Sequence, residues 1–163
     1  VGKLKISPSR VVHIFRHKGG SGEFTKTGDE LTEGESRMIL AEMDGESPLI
    51  VSVRSKDEWF VLTESRIVLR NSGGLHSAKL LDIDTFFHSG IRELARGKLD
   101  GGKFELRLKG GSRLNIDAES GRPFISLLNV FMYLEKINRK SRTPVSEAGT
   151  ATTGPTTMDS AEG

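Results

Sequence analysis

Cysteine is absent from this chain of 163 residues. Its absence excludes disulfides, thiolate metal centres, iron–sulfur ligation and a cysteine nucleophile. Aromatic residues are scarce at 6%, with one Trp and one Tyr. The aromatic interleaving of a nucleic-acid surface is therefore missing, and no nucleic-acid partner is expected. No apolar run approaches the ~18 residues of a membrane-spanning helix. The first residues show no basic-then-apolar leader pattern. Glycine, by contrast, occurs 19 times, and a hydrophobic share of 35% with 28% charged residues suits a soluble globular domain.

The net charge of +2 is a sum of unlike parts. Residues 143–163 hold three acids (Glu147, Asp159, Glu162) and no base, which leaves 24 basic and 19 acidic residues in 1–142. That terminal stretch is Thr, Ala, Gly, Ser and Pro with little to bury, so it is expected to be a disordered tail. At the other end, residues 1–18 carry Lys3, Lys5, Arg10, Arg16 and Lys18 and no acid. Three regions are expected: 1–30, a basic helix and a flexible connection; 31–142, the folded domain with a lead-in helix; and 143–163, the tail.

Local patterns place the elements. Ser7-Pro8 reads as an N-cap followed by proline at the first helical position, and Gly19-Gly20 as a stop, giving a helix over 8–18. Thr32 and Glu35 fit a capping box that opens a second helix over 33–44. From residue 49 the period becomes two. Strands are expected over 49–55, 59–65 and 66–72, over an irregular 76–87, and over 103–110 and 113–119, with 90–99 readable as a helix turn or an irregular strand. In 66–72, Ile67 and Leu69 are expected to face the core, opposite Arg66, Val68 and Arg70. After Gly121-Arg122-Pro123 the period returns to helical: Phe124, Leu127, Leu128, Phe131, Leu134 and Ile137 share a face over 123–140. Short strands separated by Gly-rich turns point to a small antiparallel barrel or sandwich.

The run from Trp59 to Arg70, with Leu62-Thr63 and Arg66 at its centre, resembles the "aromatic–x–Leu–Thr–x–x–Arg–apolar" hairpin of bacterial pleckstrin-homology-like (PH-like) and GRAM-type domains. Leu80-Leu81-Asp82-Ile83, the 103–111 strand and the closing helix fit the same pattern, over about residues 49–140. The resemblance implies an α+β, mostly β fold: a partly open barrel of about seven antiparallel strands, capped by a C-terminal helix, with one or two helices before it. It implies loops at an open end, here 55–58, 71–76 and 109–113. Arg54, Lys56, Arg70, Lys109 and Arg113 lie on or beside those loops with His76, and they are the candidate ligand-binding residues. The second strand, WFVLT, carries no base, unlike the phosphoinositide-binding pattern. The implied function is a non-catalytic binding module mediating protein–protein association, self-association through strand edges included. The alternative is binding of anionic lipid headgroups through the basic loops and the basic N-terminal helix. A cytoplasmic location follows, peripheral to a membrane in the lipid alternative.

Other constellations point to no chemistry. Leu62 and Ile67 flank a tight turn in which Thr63 and Ser65 can bond to the backbone, with Arg66 free to pair with an acid such as Asp82 or Asp84. His13 and His17 have a helical metal-ligand spacing, but no third ligand follows, and Arg10, Arg16 and Lys18 surround them. Gly19-Gly20-Ser21-Gly22 lacks the Gly-Lys-Ser/Thr of a phosphate loop. No cofactor, no metal and no catalytic residue are expected.

Overall fold

The computed structural model describes residues 6–88 and 102–140. The described elements are α1 (Pro8–Lys18), β1 (Thr25–Thr27), α2 (Glu33–Leu40), β2 (Ile50–Ser55), β3 (Glu58–Leu62), β4 (Arg66–Asn71), β5 (Gly74–Lys79), β6 (Ile83–His88), β7 (Gly102–Leu108), β8 (Arg113–Ala118) and α3 (Arg122–Lys140). Strands β1 to β5 form one antiparallel sheet in chain order, and β6 to β8 form a second. The sheets do not join into a closed barrel. The fold is α+β and mostly β, with a C-terminal helix and two helices ahead of the main strands, as expected. The six stretches expected as strands hold β2–β8, because 76–87 holds parts of two, and β1 is an addition. No helix among the described residues is long and apolar enough to cross a membrane.

The capping signals work as the sequence implies. The Ser7 Oγ accepts from the Arg10 N–H at 3.3 Å, with Pro8 in the first turn of α1. In α2, Thr32 and Glu35 satisfy each other's backbone N–H groups. The main core lies between the two sheets and under α1 and α3. Val11 and Phe15 of α1 meet Phe104, Leu106 and Ile116 of the small sheet and Phe124, Leu127 and Phe131 of α3 in one cluster. The Phe104 ring stacks on Phe124 at 5.3 Å and meets Phe131 edge-on at 4.9 Å, both favoured arrangements. A second, smaller cluster lies on the other face of the large sheet, where Ile39 and Met43 cover Val51, Trp59, Val61 and Val68.

Four expectations need correction. Residues 19–30, expected to be a flexible connection, hold β1 and a 3₁₀ turn (Gly28–Glu30). The glycines there serve close packing: a Cβ on Gly19 would collide with the Arg122 carbonyl of α3, and one on Gly22 with the Glu119 carboxylate. The second helix ends at Leu40, not 44. Glu42 and Met43 bond back three residues, to Ile39 and Leu40, and the tightened turn drives Met43 into the core. The irregular strand over 76–87 is two strands in different sheets, split by a 3₁₀ turn (Leu80–Asp82). Val68 is buried rather than solvent-facing, because α2 covers that face. The 90–99 element and the 143–163 tail lie outside the described residues.

Candidate functional site

The candidate cations are divided between two places. Arg54 sits at the end of β2, where the register with β3 shifts between Val53 and Ser55. Its guanidinium lies over the Phe24 ring, 5.1 Å from the centroid. Lys56 occupies the β2–β3 turn at the same end of the sheet. Arg70, on β4, lies opposite Trp59 of β3 on one side and Leu75 of β5 on the other, and it pairs with Glu42 at 3.8 Å. Arg54 and Arg70 line a small cleft of about 50 Å³ with Glu58, Asn115 and Asp117. Two cations and two acids share those walls, so no net positive field is built there.

Lys109 and Arg113 lie elsewhere. The Lys109 N–H donates to the Asp82 carbonyl, and the Leu80 N–H donates to Ser65, so the β7–β8 turn sits by the Arg66 end of β4. Lys56 and the β4–β5 turn are at the other end of that strand. Arg113 pairs with Glu105 at 3.2 Å. His76, opposite Leu69 on β5, is partly buried on the core side. The open-end cations therefore do not converge on one point. The sequence shows which residues are basic but not that β6 to β8 run from the far corner of β5.

The Leu62–Arg66 turn is a built polar cluster that fixes structure. The Thr63 hydroxyl accepts from the Ser65 and Arg66 N–H groups at 3.2 and 3.0 Å. The Arg66 Nε donates to Glu46 at 2.8 Å, and Ser65 donates to the same carboxylate. Burial works to raise the Glu46 carboxyl, but the Ser65 and Arg66 hydrogen bonds outweigh it and hold its pKa below the ordinary value. Arg66 takes Glu46 and Asp44 as partners, from the turn after α2, rather than Asp82 or Asp84.

A second polar cluster binds the β1 edge to β8. The Glu119 carboxylate accepts the N–H groups of Glu23, Phe24 and Thr25 at 2.6, 2.8 and 2.8 Å. The Thr27 N–H donates to Glu30 at 2.9 Å. A hydrogen bond from the Ser21 hydroxyl, then that from Thr27, holds the Glu30 carboxyl below its ordinary pKa. No sequence pattern marks Glu119, because its partners lie more than ninety residues earlier.

The opposite edge is different. Strand β5 pairs with β4 alone, and among the described residues no strand, helix or side chain bonds to its outer backbone. Leu75 on this strand is 43% exposed, one of three large apolar side chains left exposed among the described residues; the others are Leu40 and Met132. Leu75 shares its sheet face with Ser77, which accepts from Arg66. His13 and His17 do share a helix face, with ring centroids 4.1 Å apart. No group of three or more potential metal ligands assembles among the described residues. No family model, curated protein or solved structure matches this chain.

Proposed function

We propose that the chain is a non-catalytic interaction module of PH-like architecture, and that it associates with a second copy of itself through the outer edge of β5. The open edge with exposed Leu75 carries this reading. An unpaired strand offers a row of backbone donors and acceptors that another strand can complete. An antiparallel two-fold pairing centred on Ser77 sets Leu75 opposite Lys79 of the partner copy, and His76 opposite Ala78. The aliphatic stem of lysine can lie along leucine, and no like charges meet. The polar clusters at Thr63–Arg66 and at Glu119 are engaged in fixing loops, which supports a binding rather than a catalytic role. A cytoplasmic location is part of the proposal.

Light scattering over a concentration series tests it. The expected result is a rise toward twice the 17.9 kDa chain mass. The Leu75→Lys variant should stay at single-chain mass while keeping its unfolding midpoint. A wild-type chain that stays monomeric at the highest concentration, or a Leu75→Lys chain that dimerises equally well, contradicts the proposal.

A further inference from the structure

A cleft lies against α1, away from the β5 edge. Its volume is about 520 Å³, within the range of small-ligand sites, and α1 forms one wall. Val12, His13, Arg16 and His17 project from α1 toward Asp29 and Pro48 on the facing loops. This helix carries no acid anywhere along its length.

Arg16 is held in place yet only partly used. Its Nη2 donates to the Asp29 carboxylate at 2.7 Å and to the Thr27 hydroxyl at 3.4 Å. No hydrogen bond from its Nε or Nη1 is made to any described residue, and the side chain is half exposed. A guanidinium has five N–H donors, so the Nε–H and the Nη1 group each remain to donate singly to an acceptor oxygen. The imidazoles of His13 and His17, tilted by 33° to each other, lie three residues before and one residue after Arg16 on the same helix. An imidazole carries at least one N–H donor in every protonation state.

Asp29 is the one acid of the cleft lining, and its charge opposes an anion. Its two oxygens are already engaged, one by Thr27 and one by Arg16. Hydrogen bonds from Thr27 and then from Arg16 hold its carboxyl below the ordinary pKa, so it stays charged and fixes Arg16 in place. From this geometry we infer that the α1 cleft is a binding site for a phosphate group, held by the unengaged Nε and Nη1 donors of Arg16 and the ring N–H groups of His13 and His17.

The test uses the full chain with inorganic phosphate as the probe, at pH 7 and constant ionic strength. NMR follows the ring protons of His13 and His17. The expected result is a saturable shift of both rings and of the α1 backbone amides, weakened at least about tenfold in Arg16→Gln and, read at those amides, in the His13→Gln/His17→Gln double variant. An unshifted amide spectrum over β2–β4 shows that both variants keep the fold. Phosphatidylcholine vesicles with and without phosphatidic acid separate the sources. Phosphate-competed binding to the phosphatidic acid vesicles assigns a lipid headgroup; phosphate binding without vesicle binding assigns a soluble phosphate compound. No saturable shift, or equal affinity in both variants, overturns the inference.

Discussion

At the β1 edge of the five-stranded sheet, the N–H groups of Thr25 and Thr27 meet the carboxylates of Glu119 and Glu30. At the β5 edge, no described residue supplies an acceptor or a strand. The first edge is only three residues long, and its middle side chain, Lys26, pairs with Glu35 at 3.1 Å. The second is six residues long and exposes a leucine. Natural sheets blunt their edges with charge, shortness or cover. Here the lead-in segment of residues 19–30 does so on one side, and no described residue does so on the other. The difference is the ground on which we propose association at β5, and it gives residues 19–30 a structural task.

The largest way to break this contrast is to open the protected edge. Glu119→Ala removes one carboxylate from three backbone donors. Charge-assisted hydrogen bonds contribute roughly 1.5–3 kcal/mol each at most and are not additive, so a loss of about 3 kcal/mol is expected in urea unfolding. A change below about 0.5 kcal/mol would show that β1 is held by other contacts. The variant should leave dimerisation through β5 intact once refolded.

Acid should weaken the same edge selectively. Glu30 has a folded-state pKa below its ordinary 4.5, and Glu35, which accepts from Thr32 and Lys26, is also lowered. A carboxyl whose folded pKa is depressed contributes stability above its unfolded pKa and loses it as pH falls through the folded value. Amide exchange at Thr27 should therefore accelerate, relative to the β3–β4 ladder, as pH falls from about 5 through the folded values. Equal acceleration in both places would remove the link to these carboxyls.

Arg70→Ala should have the smallest effect. The Arg70–Glu42 pair is long and about one-third exposed on each side. Its loss should cost a few tenths of a kcal/mol or less after solvent screening. Measured by urea unfolding and light scattering together, it should leave the dimer constant within about twofold. A larger loss of association would extend the interface from Leu75 onto its neighbour across β4.

Much of this fold is legible in the sequence because the signals are local. Ser7-Pro8, the Thr32–Glu35 box and the alternation of residues 103–108 each act within a few residues. The Thr63 turn is legible for the same reason. What is not legible is long-range. Gly19 and Gly22 look like a linker in one dimension and prove to be points of close approach to α3 and Glu119. The break at Leu80–Asp82, which sends the chain into a second sheet, appears only as a lapse of alternation. That corner separates Lys109 from Lys56, so the cations that loop positions group together do not share a site. That no described strand pairs with the outer side of β5 depends on where distant segments run, which no pattern within 74–79 records.

Amide hydrogen exchange along β5 at low and high protein concentration tests the central claim most directly. Outward-facing N–H groups among residues 75–79 should gain protection in step with the rise in mass, while those of β1 keep the same protection at both concentrations. If the mass doubles and β5 exchange does not change, association uses another surface and the open edge has no such role.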